Sequence, residues 1–158
     1  MVVPSIFGAG DVAKFDRNKV IHHQIAPAAW TTGSDTRFTR IDDGGGSVFN
    51  DSGFGITGVY APLQLPNNAE ILSAVVYGDF VDGWSIVKSN VSTGVVTSLG
   101  GANLGSTKTY TGSEKQVINN AEFTYFVKVE SIPDQAKIYG CTIIYTVQID
   151  FADQQERV

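Results

Sequence analysis

The chain has 158 residues, enough for one ordinary domain with a buried core, and its 11 Lys and Arg against 16 Asp and Glu leave a net charge of -5 and a pI near 4.8. Scattered cations on an acidic chain repel polyphosphate and argue against nucleic-acid binding, and no run approaches the ~18 apolar residues of a membrane-spanning helix. The lone cysteine, Cys141, excludes an intramolecular disulfide, while 17 glycines and an apolar fraction of 42% point to many short strands joined by tight turns.

Residues 1–19 show neither helical nor strand periodicity and are expected to form an extended N-terminal arm. Ile6-Phe7-Gly8-Ala9-Gly10 imitates a dinucleotide-binding glycine loop. The context does not fit, because no buried strand precedes it and no apolar helical face follows. Ile6, Phe7, Val12 and Phe15 are instead the arm's candidates for docking onto a neighbouring subunit. An export leader is not expected either, since a basic segment followed by an apolar one is missing. A short strand is predicted from residue 20 to 25. On it His22 and His23 face opposite ways and do not share a metal.

Residues 31–55 read as a polar, glycine-rich loop or hairpin region. Its Asp42, Asp43 and Asp51 are the only metal candidates, for calcium, although their spacing fits no calcium-loop motif. Residues 59–78 read as two strands meeting at a corner, with Leu65-Pro66-Asn67-Asn68 as the turn. Asp82-Gly83 turns into a strand with Trp84 and Ile86 on one face. A strand from 95 to 99 is expected to stop at Gly100-Gly101, followed by a polar connection over 102–113 and a short edge strand at 115–118. In residues 122–130, Phe123, Tyr125, Val127 and Val129 share a face, and Phe126 is the apolar exception opposite. Residues 131–135 read as a hairpin turn into the last strand, 137–149, where Tyr139, Cys141, Ile143, Tyr145, Val147 and Ile149 share a face. The Asn50 and Asn90 sequons read as turn chemistry unless a glycosylating cell secretes the protein.

These elements predict an all-β, antiparallel β-sandwich of jelly-roll type with about seven or eight strands. The sandwich is expected over 20–150, with a C-terminal tail over 151–158. The corner Val59-Tyr60-Ala61-Pro62-Leu63-Gln64-Leu65-Pro66-Asn67-Asn68-Ala69, the aromatic strand Tyr125-Phe126-Val127-Lys128-Val129 and the closing Tyr139-Gly140-Cys141-Thr142-Ile143-Ile144-Tyr145 carry a resemblance to a group of bacterial and phage-type β-sandwich proteins. That resemblance covers residues 25–147. It implies a single jelly roll of the kind found in virion decoration, cement or fibre-head proteins and in secreted surface modules. Its motif positions are structural and transfer no catalytic residue.

The expected function is that of a non-enzymatic structural protein at a virion surface or outside the cell. It is expected to form a homo-oligomer, with a trimer favoured, and to dock onto a capsid or fibre subunit; no cofactor is expected. The alternative is a carbohydrate-binding module, for which Trp30, Tyr60, Trp84 and Tyr110 are the candidate stacking rings. A glycan-active enzyme is the weakest reading. Asp42, Asp43, Asp79 and Asp82 all lie beside turn glycines or within turns, and neither a Ser-His-Asp arrangement nor a nucleophile elbow occurs.

Overall fold

Period-two alternation of apolar and polar residues runs through most of this chain, and strands form where it holds. The computed structural model describes residues 18–32, 39–41 and 46–148. In chain order the strands are β1 (Asn18–Ile25), β2 (Thr31–Thr32), β3 (Thr39–Ile41), β4 (Val48–Asn50), β5 (Ile56–Leu63), β6 (Glu70–Gly78), β7 (Gly83–Asn90), β8 (Val96–Asn103), β9 (Lys108–Thr109), β10 (Gln116–Val117), β11 (Phe123–Ile132) and β12 (Lys137–Gln148). Seven of them have eight or more residues, including β1 and β8, which are longer than the short strands expected there, and five are pieces of two or three residues. Single 3-10 turns lie at Pro27–Ala29 and Gly112–Glu114, and no α-helix occurs among the described residues.

All pairings are antiparallel and fall into two sheets. In the seven-stranded sheet β12 is central. It pairs with β6 on one side and, on the other, with β4 at its start and β1 along the rest; β3 extends β4, while β9 and β10 extend β6. The five-stranded sheet has the order β2-β5-β11-β7-β8. The inner faces interdigitate, with Ile71, Val76, Ile138 and Ile143 from one sheet meeting Val59, Ile86, Val127 and Val129 from the other, all fully buried. Burying each such aliphatic side chain stabilises the fold by about 1.5–3 kcal/mol before the cost of ordering the chain.

The corner at residues 64–69 forms as its sequence predicts. The Ala69 N–H donates to the Pro66 carbonyl oxygen at 3.1 Å, and Asn68 takes the left-handed φ of 65°. The turn carries the chain from β5 in one sheet to β6 in the other. Pro62 lies within β5 rather than ending it, where β2 no longer pairs with β5 and the lost N–H has no ladder partner to serve.

Four expectations change. Residues 131–135 are not a hairpin, because β11 and β12 belong to different sheets. A turn at Pro133, closed by the Ala136 N–H to the Pro133 carbonyl oxygen at 3.1 Å with Gln135 at φ 62°, carries the chain across the sandwich. Gly100-Gly101 does not end β8, which continues to Asn103. A bulge there lets β8 press against β7 so closely that a Cβ on Gly101 would lie 1.6 Å from the Trp84 carbonyl oxygen. The connection over 102–113 is not merely polar: its Tyr110 is 1% exposed and fills the core between β9 and the second 3-10 turn.

The fourth concerns Tyr139. It does not share the face of Cys141 and Ile143. Ile138 pairs with Gly78 and Gly140 with Tyr77, so Tyr139 is an extra residue in β12 that leaves it 48% exposed. A second irregularity, between Ile144 and Tyr145, places the extra residue on β6 at Leu72. The two shifts compensate, so both ends of the β6–β12 ladder stay in register.

Candidate functional site

Alternation on β11 sends Tyr125, Val127 and Val129 inward and leaves Phe126, Lys128 and Glu130 on the outer face of the five-stranded sheet. Pairing builds two rows across that face. One runs Thr31, Tyr60, Lys128, Ser85; the other runs Pro62, Phe126, Val87, Ser98. Together with Ser89, Val96 and Glu130 most of these residues line a depression of about 520 Å3. A second depression of about 350 Å3, bordered by Pro62, Gln64, Asn120 and Thr124, adjoins it at Phe126. The outer face is therefore a continuous groove along β5 and β11 that opens at one side onto β8.

The groove is sparse in ionisable groups. Lys128 Nζ lies 2.7 Å from Glu130 Oε2, and among the described residues these are its only charged groups. The hydrogen bond that Lys128 donates to Glu130 raises the Lys128 pKa against a smaller opposing effect of desolvation, so the ammonium stays charged and is neutralised locally. Ser85, Ser89 and Ser98 have no histidine or further carboxylate in the lining to act as a base.

The residues singled out from sequence fall into three groups. Trp30, Trp84 and Tyr110 are 3%, 2% and 1% exposed, so they are core residues and cannot stack on a sugar. Trp84 Nε1 donates to the Asn103 carbonyl oxygen at 3.1 Å, and Tyr110 Oη donates to that of Gly100 at 3.0 Å. Burial holds the Tyr110 phenol protonated far above its ordinary range. The Trp30 Nε1 is buried without a hydrogen-bond partner. Of the four candidate rings, only Tyr60 reaches a surface, half-buried in the groove. Asp51 is exposed and accepts a 3.4 Å contact from Gln135 Nε2, and no group of three or more metal-ligating side chains occurs among the described residues. Asp42, Asp43, Ile6, Phe7, Val12 and Phe15 lie outside the described residues, as does the tail.

The sequons are turn chemistry here. Asn50 is fully buried, donating from Nδ2 to the carbonyl oxygens of Phe54 at 2.6 Å and Ile132 at 3.0 Å and accepting from the Ser52 N–H at 3.0 Å. Asn90 Oδ1 accepts from the N–H groups of Ser92 and Thr93, both at 3.0 Å, closing the β7–β8 hairpin. His22 is exposed and His23 partly buried, as adjacent strand residues should be.

Sequence reasoning gave no site role to Phe126 in the groove, to the exposed Phe54, or to Tyr77 and Tyr139 on the opposite sheet. Phe126 was visible as the one large apolar residue on a polar face. No family model, no curated protein and no solved structure matches the chain.

Proposed function

We propose that this chain is a non-enzymatic structural module of jelly-roll type that assembles with copies of itself through the β8 edge and the adjoining groove. The strand order supports the jelly-roll reading. Taking β4 as 1, β5 as 2, β6 as 3, β7 as 4, β8 as 5, β9 and β10 together as 6, β11 as 7 and β12 as 8, the sheets run 6-3-8-1 and 2-7-4-5. That is the order of two interlocked Greek keys.

The single observation carrying the assembly reading is β8 itself. Among the described residues it is a terminal strand of eight residues, Val96–Asn103, without one charged side chain or proline. Folded proteins ordinarily protect such an edge with charge, proline, a bulge or a covering segment; the bulge here lies between Ser98 and Gly101, and the stretch from Val96 to Ser98 is left to pair with another chain. Val96 is 63% exposed and, with Ser98, forms the lip of the groove, so a neighbour pairing along β8 also meets the outer face. The sequence resemblance supports a virion surface as the setting, with the module as a decoration, cement or fibre-head protein docked on a capsid or fibre subunit.

Light scattering of the full chain tests the assembly. The expected mass is a small multiple of 16.9 kDa, a trimer being favoured. Thr97→Lys, at an exposed position of β8, is expected to shift the mass toward the monomer with an unchanged circular dichroism spectrum. A wild-type chain that stays monomeric, or a variant that assembles unchanged, overturns the role of this edge. The same measurement on a chain lacking residues 1–17 reads the share of the arm.

A further inference from the structure

Tyr77 and Tyr139 are 46% and 48% exposed, while the residues preceding them, Val76 and Ile138, are fully buried in the core. The two tyrosines thus stand on the outer face of the seven-stranded sheet, away from the β8 edge. Register brings them together: Tyr77 pairs with Gly140, and Tyr139 is the bulged residue immediately before that glycine. Bulges commonly re-aim a side chain in this way next to binding sites. Gly140 adopts φ 145° and adds no side chain to the space beside Tyr77; a Cβ there would come within 3.0 Å of the Ile25 carbonyl oxygen.

The result is a depression of about 380 Å3 that both tyrosines and Pro27 help to line, within the range of about 300–1,000 Å3 usual for small-ligand sites. Gln24 and Thr142 line it too, and they are cross-strand partners one step along the sheet. Neither of these side chains, nor either phenol, makes a hydrogen bond among the described residues. Among the described residues, no Lys, Arg, His, Asp or Glu takes part in the lining.

That combination selects a chemical class. A phosphate or an acidic peptide finds no cation here to offset its desolvation. A purely apolar segment would cover the amide of Gln24 and the hydroxyl of Thr142 without replacing their bonds to water. A neutral sugar ring meets both demands, since its C–H face packs on an aromatic ring while its hydroxyls bond an amide and hydroxyls at the rim. We infer that the Tyr77–Tyr139 depression binds a neutral pyranoside, with the two rings as stacking walls and Gln24 and Thr142 as the hydrogen-bonding groups. This site is independent of the proposed assembly through β8, which lies on the other sheet.

The test uses the full chain on a glycan array spanning neutral and acidic pyranosides, followed by titration calorimetry with the best neutral oligosaccharide. Tyr139→Ala and Tyr77→Ala are exposed changes expected to leave the circular dichroism spectrum and the native mass unaltered. Each is expected to weaken binding about tenfold or more, and the double variant to abolish it. Tyr139→Phe, which keeps the ring, is expected to stay within about threefold of wild type, and Tyr60→Ala, on the other sheet, to bind as wild type does. Absence of any neutral glycan on the array, capture confined to acidic glycans, or binding that survives the double variant overturns the inference. An altered native mass in Tyr77→Ala or Tyr139→Ala also overturns it, because it would make this face a protein contact. Loss of assembly in Thr97→Lys with glycan binding intact separates the two proposals.

Discussion

Asn50 shows how a single polar side chain can fasten two loops. Its amide and carbonyl are wholly buried, yet each finds a partner, and its backbone takes part as well: its N–H donates to the Ala136 carbonyl oxygen at 3.1 Å and its own carbonyl accepts from Gln135 at 2.8 Å. The segment after β4 is thereby tied to the turn that carries β11 into β12. Gly53 N–H adds a 2.8 Å bond to Asp134 Oδ1 over the same seam. Asn50→Ala leaves the Ile132 carbonyl buried without its side-chain partner, and is expected to cost about 3 kcal/mol. Asn50→Asp is expected to cost at least as much, since it turns a carboxylate toward two carbonyl oxygens. Urea unfolding with an unchanged slope against denaturant checks both values.

At the scale of elements, the long strands were legible because each has one buried face. Tyr125, Val127 and Val129 on β11 alternate without interruption and lie on the core side as predicted, and Val59, Ala61 and Leu63 on β5 do the same. What alternation does not carry is the identity of the partner strand. Pro133-Asp134-Gln135 has the residues of a reversal, and the chain does reverse there; nothing local distinguishes a turn within a sheet from one between sheets. Phase was lost at Tyr139 for the same reason, since a bulge is a property of the pair of strands and appears in neither alone. The short strands β2, β3, β4, β9 and β10 have too few residues to show a period at all. Trp30, Trp84 and Tyr110 were candidates only for the alternative glycan reading, and their burial places them in the core, where most aromatic rings of a sandwich lie. As to the candidate site, Tyr60 was named from sequence, whereas the rows that surround it depend on four strand pairings separated widely along the chain.

For the molecule as a whole, two buried acids contribute to the response to alkali. Burial pushes the Cys141 thiol from its ordinary 9.0 up to about 12, and raises the Tyr110 phenol well above 10.0. Both are neutral when protonated, so the folded state retains protons that the unfolded chain gives up. Stability from these groups is complete below pH 9. It falls as pH rises from 9 toward 12, first through Cys141 and then, above 10, through Tyr110 as well, each with a limiting slope of about 1.4 kcal/mol per pH unit. Urea midpoints taken between pH 8 and 11 are expected to fall with this curvature, and Cys141→Ala to flatten the segment between 9 and 10. An unchanged slope in that variant would falsify the assignment to the thiol.

The bulge on β12 also bears on how such a chain diversifies. Removing Tyr139 would leave Ile138, Gly140 and Cys141 in regular inward-outward-inward succession, flush against Gly78, Tyr77 and Val76. In genetic terms Tyr139 behaves as a one-codon insertion that the sandwich accepts without repacking. A chain lacking that codon is expected to fold with a change in stability of about 1 kcal/mol or less, measurable by thermal melting. Gain or loss of that one residue is therefore expected to change the aromatic surface of the sheet while leaving the buried face of β12 in place.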